Sequence, residues 1–99
     1  MSDRRQPTNG HASLPLGKAP CGFRGFIDAI KVHETAGGLT AAEIENRLIE
    51  LGFVEGAHVE ILHEGAFARD PIAVRVNNAT IALRRREAMA ILAFADGHE

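Results

Sequence analysis

The chain has 99 residues, enough for one small domain and not two. Its 45% hydrophobic content supports a real core, although a domain of this size buries only part of its surface. Eleven basic residues stand against thirteen acidic ones, a balance that disfavours strong nonspecific nucleic-acid binding, which needs phosphate neutralisation.

Residues 1–13 are polar and carry Pro7, Asn9 and Gly10, which predicts a disordered tail. Leu14 and Leu16 are the first residues expected to pack, and the domain is expected over 14–95, with 96–99 as a second tail. Pro15 to Gly22 is turn-rich and leads into a first strand, roughly 23–33. Phe26, Ile27, Ile30 and Val32 do not hold one alternation. That predicts a bulge near Asp28, or a strand with both faces partly buried. Gly37-Gly38 ends this unit.

A helix over about 41–51 follows. Thr40 and Glu43 have capping-box spacing, and Leu39 and Ile44 are placed for a hydrophobic staple. Ile44, Leu48 and Leu51 share one helical face. The polar face carries Glu43, Asn46, Arg47 and Glu50. Gly52 sits where a left-handed residue ends a helix, and Phe53 should fold back onto Leu48. Gly56 then turns the chain into a strand over 57–64. There Val59 and Ile61 face one way, and His58, Glu60 and Glu64 the other. Gly65 to Asp70 reads as a loop.

Pro71 opens the next strand, with Ile72, Val74 and Val76 inward and Arg75 outward. Asn77-Asn78 is a two-residue turn, since asparagine tolerates positive φ. Ile81 and Leu83 line the return strand. Arg84 to Ala90 can form one helical turn, near 85–90, and Ile91 to Phe94 a closing strand. The fold class implied is mainly β: a small five-stranded SH3-like barrel with one inserted α-helix.

Cys21 is the only cysteine, so no internal disulfide can form, which fits a reducing compartment. No apolar run approaches the roughly 20 residues a membrane span needs. The charged start lacks the apolar core of a secretion signal. A cytoplasmic protein is the simplest expectation.

Three ordered blocks carry a family resemblance. They are Arg47-Leu-Ile-Glu-Leu-Gly-Phe-Val-Glu-Gly-Ala-His-Val-Glu-Ile61, Gly65-Ala-Phe-Ala-Arg-Asp-Pro-Ile-Ala-Val-Arg-Val76 and Ala82-Leu-Arg-Arg-Arg-Glu-Ala-Met-Ala-Ile91. In order and spacing they resemble the FeoA family of small ferrous-iron transport accessory proteins, over about residues 14–95. The resemblance implies a cytosolic SH3-like domain working beside the membrane transporter FeoB, which carries a G-protein domain. The turn at Asn77-Asn78 departs from the glycine often found there. No DNA-binding helix-turn-helix precedes the barrel, so the chain resembles the free-standing domain and not the C-terminal module of an iron-dependent repressor.

Residue by residue, little suggests catalysis. Gly52 and Gly56 lack the Lys-Ser/Thr of a phosphate loop, so they read as backbone devices. Ser2 and Ser13, the only serines, fall in the expected tail, and Cys21 has no partnering histidine at a recurring offset. His11, His33, His58, His63 and His98 show no ligand spacing. His58 and His63 differ by an odd number, which a regular strand places on opposite faces. Any divalent transition-metal site, for iron or zinc, would be weak or intermolecular, bridging chains or joining His33 to a neighbouring strand.

Arg84, Arg85 and Arg86 form the one basic run. Arg84 is expected to serve structure, pairing with Asp70 or Glu87. Asp70-Pro71 is expected to set the start of its strand, the carboxylate capping loop amides. Phe67 reads either as a recognition residue on a loop tip or as a lid on the core.

The sequence therefore suggests a non-enzymatic interaction domain in ferrous-iron uptake, docking on the cytoplasmic part of a FeoB-type transporter at the inner face of the cell membrane. The contact residues expected are Arg47, Glu50, Leu51, Phe53 and Phe67. Gly52, Gly56, Asp70, Pro71, Leu83 and Arg84 are expected to shape the fold. Two other classes compete: a metal-binding or metal-sensing module, and a nucleic-acid-binding barrel. The latter is disfavoured by charge and by aromatics limited to five Phe. An exposed edge strand is compatible with a homodimer.

Overall fold

Strand β1 (Leu14–Pro15) runs into a 3-10 turn (Leu16–Lys18), followed by β2 (Arg24–Ile30) and helix α1 (Ala41–Glu50). Then come β3 (His58–Phe67), β4 (Asp70–Val76), β5 (Ala79–Leu83), the short helix α2 (Arg85–Ala88) and β6 (Ile91–Ala95). The structure, a computed structural model, describes residues 12–32 and 40–96. Residues 1–11, Gly37-Gly38, Leu39 with its staple, His11, His33 and His98, and the tail after Asp96 therefore lie outside the described residues. All strands pair antiparallel in one sheet, in the order β1-β6-β2-β3-β4-β5. Five strands are those the sequence implied. The two-residue β1 is the addition, with Leu14 opposite Ala93 and Pro15 opposite Leu92.

The inward face follows the sequence pattern. Ile72, Val74 and Val76 of β4 are buried, as are Val59 and Ile61 of β3, while Arg75 is exposed. Leu16, Ile27, Phe53 and Ile91 complete the large buried side chains. In β2 the pairing with β6 slips between Ile27 and Ala29, leaving Asp28 as the extra residue of a bulge. That slip explains why the apolar residues of this strand change parity.

Ten residues make too short a helix to stand alone in water, so α1 depends on its ends. At the start, Thr40 Oγ1 accepts the Glu43 amide at 3.1 Å and Glu43 Oε1 accepts the Thr40 amide at 2.8 Å. At the finish, Gly52 takes φ +109°. The Phe53 amide then donates to Leu48 O and the Gly52 amide to Ile49 O, the 6→1 and 5→2 pair of a Schellman motif. Thr40→Ala removes the acceptor for one exposed-end amide and should lower stability by about 1 kcal/mol in urea unfolding. An unchanged midpoint would show that the box is not holding α1.

Two readings are corrected by the β3–β4 hairpin. Gly65 to Asp70 is no loop: β3 continues to Phe67, and Asp70 begins β4 opposite it. The turn is Ala68-Arg69, with φ of 58° and 59°. Positive φ at both positions is the geometry of a type I′ hairpin turn, which normally selects Asn or Gly. The second correction concerns the histidines. Pairing slips between Ile61 and His63, so Leu62 is an extra residue. The bulge restores parity and places His58 and His63 on the same face, five positions apart along the strand.

Arg85 fastens distant pieces of the sheet. Its Nη1 donates to Gly17 O (3.1 Å) and Ala19 O (2.6 Å), its Nε to Arg69 O (2.7 Å), and its Nη2 pairs with Glu64 Oε1 (3.0 Å). Asp70 Oδ1 accepts the Arg85 amide at 2.8 Å. Asp70 thus caps α2 and not the amides of its own turn. Arg84 pairs with neither carboxylate through its side chain; its amide donates to Glu87 Oε1. The backbone of Gly17 packs so closely on Arg85 that a Cβ there would collide with the Arg85 carbonyl.

Candidate docking site

Among the described residues the sheet does not close on itself. β5 is one outer strand and β1, beside β6, the other. Along this seam a groove of about 570 Å3 opens, with α1 as one wall. Ile81 to Leu83 of β5 form the opposite wall, with Met89 and Ala90 after α2. Pro15 and Leu92 contribute from the β1–β6 edge. The lining is mostly apolar because the α1 stripe Ile44, Leu48 and Leu51 faces it. Of these Leu48 is buried, while Ile44 and Leu51 are half-buried against the core.

The rim is cationic. Lys31, Arg47 and Arg86 line the groove, and all three are exposed. Glu87 is the only carboxylate among the described lining residues, and one of its oxygens already holds the Arg84 amide. An apolar trough under three cations suits an apolar side chain carried by an acidic segment, because the rim steers and orients what the floor buries.

The expected contact residues separate. Arg47 and Leu51 line the groove. Glu50 is exposed on α1 but does not line it. Phe53 is fully buried and belongs to the core, so it drops out of the contact set. Its place just after the helix stop turns it inward. Phe67 is 88% exposed at the hairpin tip, which removes the core-lid reading. It lies apart from the groove lining. Leu83 is buried on the β5 wall of the groove and Arg84 is the N-cap residue of α2.

Sequence reasoning did not single out Lys31, Ile81 or Arg86 as groove residues. Only Arg86 carried a signal, as part of the basic run. His58 Nε2 lies 3.2 Å from Asp96 Oδ2, and its ring stands T-shaped to that of Phe26, with centroids 5.0 Å apart. The Cys21 thiol is exposed and donates to Leu62 O at 3.5 Å. Among the described residues, no three His, Cys, Asp or Glu side chains gather closely enough to hold a metal ion. Among them, too, no helix is long and apolar enough to cross a membrane.

Comparison with known proteins bears on this geometry. A family model described as "FeoA domain" matches residues 14–93. The solution structure of FeoA from Chlorobium tepidum superposes with a TM-score of 0.69 at 26% identity, over 87% of this chain and 73% of that one. Iron(II) transport protein A from Clostridium thermocellum gives 0.69 at 28% identity, over 84% of this chain but 46% of its own. FeoA from Stenotrophomonas maltophilia, solved with zinc and described as a procaryotic SH3 domain protein, gives 0.63 at 27% identity, over 79% and 86%. A sequence comparison with curated proteins gives no significant match. The antiparallel sheet with one inserted helix is thus SH3-like, and with most of its length matched by the domain model, the chain belongs to the FeoA family.

Proposed function

We propose that this chain is a non-enzymatic accessory of ferrous-iron uptake that docks on the cytoplasmic part of a FeoB-type transporter. Family membership supplies the iron-transport setting. The observation that carries the docking reading is the seam groove, apolar at its floor and ringed by Lys31, Arg47 and Arg86. A monomeric domain rarely leaves such a trough unless something fills it. Phe67 adds an apolar anchor on a rigid hairpin, the kind of large exposed side chain that dominates contact energetics. Docking of this kind would recruit the protein to the inner face of the membrane without a span of its own.

A pull-down and titration against the transporter's cytoplasmic portion test the assignment. Leu51→Asp places a charge on the groove wall, and Phe67→Asp replaces the tip anchor. Each is expected to weaken binding by about tenfold or more, with the circular dichroism spectrum of the folded protein retained. Full binding by both variants would refute these surfaces. Loss of the folded spectrum in Leu51→Asp would show that Leu51, half-buried against the core, serves the fold and not docking.

A further inference from the structure

Helix α1 has two unlike flanks. One flank borders the seam groove, with Arg47, Lys31 and Arg86 at the rim. The other borders a smaller depression of about 270 Å3, where Asp28, Glu45 and Glu55 surround Ile49 and Val54. All three carboxylates are exposed. Ile49 and Val54 are 41% and 42% exposed, and with Phe67 they are the large apolar side chains left open among the described residues. So the molecule carries an apolar pair ringed by three negative charges, and an apolar trough ringed by three positive ones.

The two patches match in chemistry. Burying Ile49 and Val54 in the trough removes apolar surface from water on both sides. The rim charges then face opposite signs, which favours this register over others. A single copy cannot lay one patch on the other, because both are fixed to flanks of the same helix, α1. The chain's own N-terminal residues are a poorer occupant, since Arg4 and Arg5 repeat the sign of the rim. We propose that the seam groove accepts the acidic flank of α1 from a second copy of this chain, giving head-to-tail self-association. Such a contact is heterologous: each copy offers one patch and keeps the other open, so copies add in rings or open chains and not only as closed pairs. The inference rests on the groove itself and not on the transporter reading. If both hold, a second copy and the transporter compete for one site.

Sedimentation velocity on the full chain tests this across a concentration series. Mass is expected to rise with concentration in dilute buffer. It should fall toward the monomer as salt rises from about 0.01 M to about 1 M, which contracts the screening length from about 30 Å to about 3 Å. The doubly reversed groove, R47E with R86E, and the doubly reversed flank, E45K with E55K, should each weaken association by roughly tenfold, because like charges then meet. An equimolar mixture of the two restores opposite signs at both contacts and should regain association. A merely misfolded variant would not be rescued in this way. Constant monomer mass at every concentration would overturn the proposal. So would undiminished association by either variant alone. Neither outcome touches transporter binding, which the pull-down measures separately.

Discussion

Replacing Arg85 with alanine is expected to destabilise the domain by about 2–4 kcal/mol, a large share of the roughly 5–15 kcal/mol such a domain has. The guanidinium reaches the carbonyls of Gly17, Ala19 and Arg69 and the carboxylate of Glu64. Gly17 and Ala19 are buried, so their oxygens would lose a charged donor with little water to replace it. The fork also ties three segments that share no strand pairing: the 3-10 turn, the hairpin tip and α2. For a chain of this length the loss corresponds to a fall in Tm of about 10–25 °C. Arg85→Lys should recover less than half, since one ammonium cannot span that fork. Arg86→Ala, one residue along but exposed on the groove rim, should stay within about 0.5 kcal/mol of the parent. Urea unfolding of the three variants decides it. Equal midpoints for Arg85→Ala and Arg86→Ala would remove Arg85 from this role.

What could be read from sequence was set by how local its cause is. The α1 caps need only Thr40, Glu43 and Gly52 at fixed offsets, and all three do as their spacing implied. The Asp28 bulge was legible because Ile27 and Ile30 break parity within four residues. The β3–β4 hairpin was not, because Ala68-Arg69 lacks the Gly or Asn that announces positive φ. That turn is held from outside by Arg85, sixteen residues on. The same distance hid which member of Arg84-Arg85-Arg86 turns inward, since composition is identical at all three. Half of the groove was visible as the Ile44-Leu48-Leu51 stripe with Arg47 beside it. The other half, Ile81, Leu92, Lys31 and Arg86, is assembled by strand order, which no local pattern encodes.

Phe53 is where two local readings of one residue pulled apart, and its replacement is expected to separate them. As the residue after the helix-stopping glycine it should fasten the helix, yet its neighbourhood also suggested a docking face. In the structure it is fully buried, in a core that includes Leu48, and its amide closes onto Leu48 O. Phe53→Ala should cost about 3–5 kcal/mol, the transfer of a buried ring plus the cavity it leaves. Phe67→Ala deletes a ring of the same size that is 88% exposed, so stability should hold within about 0.5 kcal/mol. The two phenylalanines are thus predicted to show opposite phenotypes: one loses the fold, the other a partner. Phe53→Leu keeps an apolar side chain in the core and should cost only about 1–2 kcal/mol. Measured while still folded, it should bind the transporter portion as the parent does. If folded Phe53→Leu bound as weakly as Phe67→Asp, Phe53 would have to leave the core on docking, and α1 would have to open its cap to let it.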